Sequence, residues 1–222
     1  MFILKDPALA QKMGVISAKA HLTGSADWPS YLSLLAQAIT MGGLLVFGFV
    51  TSWIFGREYS DRTIKDLLAL PISRNVIVLS KFIVVFLWCL LLSVLVFALG
   101  LIVGNAVDIP GWSSEVARQG LSIFLICTLL TILLSTPVAL FASIGRGYLS
   151  PLGFVVFTMV LAQIVAVTGY GQFFPWSIPA LTSGVAGSGS STLEFGSSII
   201  ILITSVLGLI CTIFWWRYAD QN

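Results

Sequence analysis

The side chains able to do chemistry in this chain are gathered in one short stretch. Of nine acidic and eleven basic residues, five lie between Arg57 and Lys65, namely Arg57, Glu58, Asp61, Arg62 and Lys65, and Asp66, Arg74 and Lys81 follow closely. Mixed charge at this density suits recognition of a soluble partner through complementary charge and shape. Hydrolytic chemistry finds little support. The single histidine, His21, is remote from the stretch, and there is no His-Glu-x-x-His. Nor is there a Gly-x-x-x-x-Gly-Lys-[Ser/Thr], the loop whose amides and lysine cradle nucleotide phosphates. Cys89, Cys127 and Cys211 each sit alone in an apolar run, which reads as packing rather than as a metal site or a disulfide framework.

The elements around this stretch belong in lipid. The chain has 222 residues, 58% hydrophobic and 9% charged, with a mean hydropathy of +1.03. Soluble domains carry roughly a quarter charged residues. A net charge of +2 gives no basis for nucleic-acid binding. No basic segment followed by an apolar run opens the chain, so no cleavable signal peptide is visible. A helix needs about 20 apolar residues to cross the hydrocarbon core. Five segments qualify: 31–55, 76–103, 119–143, 151–168 and 197–216. The expectation is an all-α polytopic bundle, a single transmembrane domain over 1–222. Residues 1–30 form an external segment, 56–75 a charged connection and 169–196 a long Gly/Ser-rich loop. Pro137 is expected to kink the third span.

Lys and Arg accumulate on the cytoplasmic side of membrane proteins. Residues 56–81, 144–150 and 217–222 hold Arg57, Arg62, Lys65, Arg74, Lys81, Arg146 and Arg217, whereas 104–118 and 169–196 hold only Arg118. That asymmetry places the charged connection and the C-terminus in the cytoplasm. Trp53, Trp112, Trp176, Trp215 and Trp216 fall near span ends, as an aromatic belt requires. The N-terminal part conflicts with this scheme. Asp6-Pro7 starts an expected external helix over 7–21, yet Lys5, Lys12 and Lys19 precede the first span. A further span preceding Met1, giving six in all, would remove the conflict.

Within the charged stretch, Ser60 or Asp61 is placed to cap a helix that ends before Pro71. Ile64, Leu67 and Leu68 give it one apolar face, and Ser73 is an N-cap for the next helix. Two readings of this helix stand: a solvated loop that sets topology by charge, or a docking helix. The motif Phe55-Gly-Arg-Glu-Tyr-Ser-Asp-Arg-Thr-Ile-Lys-Asp-Leu-Leu-Ala-Leu-Pro-Ile-Ser-Arg74 resembles the signature of ABC-type exporter permeases of the type-two branch. Their pattern runs Phe-Gly-x-Glu-x-x-x-Gly-Thr-x-x-x-Leu-Leu-x-x-Pro-[Val/Ile]-Ser-Arg. Arg62 stands where many members have Gly, a change that a helix tolerates. Gly145-Arg-Gly-Tyr-Leu-Ser-Pro151 and Phe174-Pro-Trp-Ser-Ile-Pro179 are similar to bacterial members of the multidrug and peptide-antibiotic exporter type. The resemblance covers about residues 30–218.

The resemblance implies a six-span permease in the cell membrane that pairs with a second permease, as a homodimer or heterodimer. It further implies a separate ABC ATP-binding subunit. ATP and Mg would be bound by that partner and no cofactor by this chain, which would not be an enzyme. Residues 60–70 would act as the coupling helix, with Glu58, Asp61, Arg62, Lys65 and Asp66 docking the ATPase. Gly48, Ser52 and Gly56 form a small-xxx-small row that lets helices approach, either between permeases or within one chain. Phe173, Phe174 and Trp176 dip into the interface as an external gate or simply rest there, and Ser183–Thr192 reads as a mobile linker. Gln163 and Thr168 read as packing residues. A membrane scaffold or a secondary transporter subunit is the alternative. Ion-coupled carriers place ionisable groups mid-membrane. Here only Lys81 lies within a predicted span, near its charged end.

Overall fold

The structure, a computed structural model, describes residues 27–69, 71–184 and 195–218. Among these every regular element is helical: α1 (Trp28–Ser60), α2 (Ile64–Leu68), α3 (Arg74–Ala106), α4 (Ser114–Leu134), α5 (Thr136–Ile144), α6 (Leu149–Val167), α7 (Ile178–Thr182) and α8 (Phe195–Tyr218). Two single 3₁₀ turns, Gly171–Phe173 and Pro175–Ser177, lead into α7. Five spans are long and apolar enough to cross a membrane, with α4 and α5 together making the third. This is a polytopic membrane helical bundle. The helix expected over 7–21, and residues 185–192 of the expected linker, lie outside the described residues.

The helices start and stop for local reasons. The Asp27 carboxylate accepts from the Ser30 amide at 3.0 Å, and Pro29 occupies the first turn of α1. The Ser113 hydroxyl accepts from the Val116 amide at 3.2 Å to start α4. Ser73 stands at the N-cap of α3 with extended backbone, but its side chain makes no capping bond. The third span breaks at Ser135, just before Pro137, which has no amide proton to continue the ladder. The Thr136 hydroxyl bridges this break to the Ser205 carbonyl of α8 at 3.0 Å.

Lipid offers little hydrophobic driving force between helices, so small residues and internal hydrogen bonds hold the bundle. A Cβ on Gly208 of α8 would lie 2.7 Å from the Pro137 nitrogen, so α5 and α8 touch backbone to backbone. Several buried hydroxyls are satisfied within their own helices: Thr51 donates to Phe47, Ser52 to Gly48, Thr131 to Cys127 and Thr212 to Gly208. Uncharged interiors tolerate them for that reason. The main core runs along α1, α3, α4 and α5 through Phe47, Phe55, Val78, Phe82, Cys89 and Phe124, and reaches Trp216 of α8.

Three expectations change here. Trp216 is fully buried and so does not join an interfacial belt, whereas Trp53 and Trp112 are about half exposed and Trp215 is half-buried. Cys89 and Cys127 are buried, but Cys211 is exposed and does not pack in the core. The charged stretch holds no helix from 60 to 70. α1 continues to Ser60, Asp61 is its C-cap, and only Ile64–Leu68 is helical beyond it.

Candidate functional site at the charged end of the bundle

α1 ends in a tight reversal. The Arg62 amide donates to the Tyr59 carbonyl at 3.3 Å, and the Thr63 amide to the Glu58 carbonyl at 3.0 Å. This crossed pair is a Schellman motif, and it puts Arg62 in the left-handed region at φ +58°. Glycine adopts that conformation without cost, whereas a residue with a Cβ loses roughly 1–2 kcal/mol. The glycine of the family pattern at this position therefore serves a turn and not a helix, which corrects the expectation drawn from sequence. Asp108, at φ +52°, closes α3 by the same pair of bonds to Asn105 and Gly104.

The reversal sorts the charges. Asp61, Arg62, Lys65 and Asp66 are exposed on the far side of the turn. Asp61 pairs with Arg57 at 3.2 Å in a solvated i,i+4 contact that stabilises little. Ile64 points inward, only 7% exposed, and Leu67 packs beside it. Glu58 turns inward as well. Its Oε1 meets Lys81 Nζ at 2.5 Å, with the Glu58 side chain 24% exposed and that of Lys81 9%. Glu58 is thus committed to a pair within the chain and is withdrawn from the outward docking set.

Lys81 sits two turns into α3, where an unpaired ammonium would be costly. Four contacts compensate. Besides Glu58, Nζ donates to the Ile54 carbonyl at 2.6 Å and lies 5.5 Å from the Phe55 ring centre and 5.7 Å from that of Trp216. Trp216 is held in turn. Its indole N–H donates to Ser143 Oγ of α5 at 2.9 Å, and Tyr59 meets it edge-on. The Arg74 guanidinium donates to the carbonyls of Trp216 and Arg217 at 3.1 and 3.3 Å. These carbonyls end α8, where a cation complements the helix dipole. One ion pair and one indole thereby join the ends of α1, α3, α5 and α8 directly behind the exposed segment.

Sequence reasoning singled out Glu58 and Lys81 but missed Arg74 and Trp216 as members of one cluster. A signal for Trp216 was present. Ser197, Ile201, Ser205, Gly208, Thr212 and Trp216 repeat at three- and four-residue spacing, which marks the buried stripe of α8.

The small-residue row packs within the chain. A Cβ on Gly48 would lie 2.6 Å from Val155 of α6, and one on Gly56 would lie 2.9 Å from the Gly147 carbonyl. Ser52, between them, is fully buried. Phe173, Phe174 and Trp176 lie at the opposite end of the bundle. Phe173 is exposed, while Trp176 packs between Phe154 and Phe174 at 5.6 and 5.5 Å. Among the described residues no group of three or more His, Cys, Asp or Glu side chains is placed to hold a metal ion.

This end of the bundle is thus a charged, exposed turn backed by a buried ionic joint, and comparison with known proteins shows its family. The chain is similar to the bacitracin transport permease protein BCRB of Bacillus licheniformis, 30% identical over 181 residues that cover 80% of this chain and 85% of that protein. No solved structure matches it. Residues 8–163 match the family described as ABC-2 family transporter protein. The chain belongs to the ABC-2 transporter family and is a multi-pass transmembrane permease of an ABC transporter, a family whose permeases work with an ABC ATP-binding subunit.

Proposed function

We propose that this chain is the permease subunit of an ATP-driven exporter, worked by an ATP-binding subunit that seats on the segment from Asp61 to Ala69. One observation carries the reading. The segment turns Asp61, Arg62, Lys65 and Asp66 outward while driving Ile64 into the main core, so a push on its surface is delivered to the packed helices. Two permeases, alike or different, pair to enclose the path. ATP and Mg are held by the partner subunits, and closure of those subunits switches the permeases between inward- and outward-open states. The excess of Lys and Arg supports a cytoplasmic side for 56–75 and the C-terminus at the cell membrane. The uncharged spans, together with a relative named for bacitracin transport, support an amphipathic cargo such as a peptide antibiotic. A scaffold or an ion-coupled carrier gives no role to this outward-facing segment.

Affinity capture of the tagged permease tests this. The wild type is expected to recover an ATPase bearing the phosphate-binding loop. The triple variant Asp61→Lys, Arg62→Glu, Asp66→Lys sets like charges against the partner, which costs several kcal/mol across an interface. Recovery should fall at least tenfold while thermal unfolding of the permease stays unchanged. Equal recovery by the triple variant would refute the docking role of these residues.

A further inference from the structure

The geometry points to α8 as a lever that carries movement from the charged end of the bundle to the 3₁₀ turns at the opposite end. Three features carry this. At one end Trp216 is fastened to Lys81, Ser143 and Arg74. At the other, Ser197 Oγ donates to the Gln172 carbonyl at 3.2 Å, and Ile201 packs in a buried cluster with Ile178, Leu130 and Leu134, against which Trp176 leans. Between them Gly208 rides on the Pro137 backbone, and one turn away the Thr136 hydroxyl donates to the Ser205 carbonyl at 3.0 Å. The seam here is lined by the small side chains of Ser205, Gly208 and Thr212. Its other face, including Leu202, Val206, Leu207, Ile210 and Phe214, is exposed, so among the described residues nothing clamps α8 from outside.

A continuous helix held at its ends and, between them, against the Pro137 break only over the turn from Ser205 to Gly208 rocks about that turn. At 1.5 Å per residue, Trp216 lies about 12 Å and Ser197 about 16 Å from Gly208. A 1 Å displacement at Trp216 therefore appears as roughly 1.4 Å, reversed in direction, at the Gln172 contact. Trp216 and Arg74 are positioning residues for transport in this account. Its mechanical part stands without the docking reading, and its functional meaning rests on it. Spatial continuity alone does not show coupling, so the test must read one end while altering the other.

The full chain in nanodiscs, with Cys211→Ser to remove the exposed thiol, would carry a trifluoromethyl label on Phe173→Cys or, as control, on Val103→Cys. Both positions are exposed, and Val103 belongs to α3 near the same end of the bundle. Trp216→Phe keeps an aromatic ring but loses the bond to Ser143, and Arg74→Gln removes the guanidinium bonds to the Trp216 and Arg217 carbonyls at an exposed side chain. Each variant is expected to shift the fluorine resonance at 173 by more than its linewidth and to leave that at 103 in place. An unmoved resonance at 173 in both variants overturns the lever. Movement of both labels overturns it too, since that marks general loosening. No ATPase is present in this measurement, so failure of docking would show in the capture experiment and not here.

Discussion

The buried pair of Glu58 and Lys81 sets up the sharpest test of the structure. Replacing Lys81 by Met keeps the volume of the side chain and removes its charge, leaving the Glu58 carboxylate without its ion-pair partner. Glu58 Oε2 already has no hydrogen-bond partner among the described residues. Removing one member of a fully buried pair costs about 3–5 kcal/mol. Glu58 keeps 24% of its side-chain exposure, so water relieves part of this and a loss of about 2–3 kcal/mol is expected. For a chain of this size each kcal/mol moves the unfolding midpoint by about 2–4 °C, which gives a drop of roughly 4–12 °C. The buried thiols of Cys89 and Cys127 supply the assay. With Cys211→Ser as background, they react with a thiol-specific fluorophore only as the bundle opens on heating. The double variant Glu58→Gln, Lys81→Met removes both charges and should recover at least half of the loss, because residues in contact couple by about 0.5–3 kcal/mol. An unchanged midpoint for Lys81→Met, or a double variant that loses the sum of the two single losses, would refute the view that these charges neutralise each other inside the bundle.

Two further outcomes follow from backbone geometry. Arg62→Gly should raise the unfolding midpoint by the equivalent of about 0.5–1 kcal/mol, since Gly relieves the left-handed position but adds freedom to the unfolded chain, while Arg62→Val should lower it by at least as much. Equal midpoints for the two variants would show that the turn does not hold Arg62 at positive φ. Gly208→Ala sets a gain of up to about 1 kcal/mol in helix propensity against a Cβ placed 2.7 Å from a backbone nitrogen that cannot yield. Its expected net loss is about 1–3 kcal/mol, the usual range for overpacking. Gly153→Ala, which meets nothing within 4 Å on α6, should show no loss in the same thermal assay.

Much of the fold could be read from local sequence. Each span is an uncharged run of helix length, and lipid admits no other local solution for a single segment, so helix number and approximate bounds followed from composition. The break at Pro137 followed from a missing amide proton. The charged stretch was legible as the candidate site because charge is nearly excluded from the spans and is denser there than in any other connection. What charge density could not convey was direction. Glu58 and Asp61 are three residues apart, yet one is paired inside the bundle and the other is solvated, because α1 ends between Ser60 and Arg62 and its last turn faces α3.

By itself, then, the sequence determined a membrane bundle with one charged connection and a motif that ties it to a permease family, since these depend on composition and on residues adjacent in the chain. Only the tertiary structure decided which of those charges face outward, that Arg62 occupies a turn and not a helix, and that Trp216 is a buried fastening and not an interfacial anchor. The turn at Arg62 depends on where α1 ends, and the other two depend on residues brought together from distant parts of the chain. Lys81 meets Glu58 across 23 positions, Trp216 meets Ser143 across 73 and Arg74 meets Trp216 across 142, separations over which periodicity carries no information about contact.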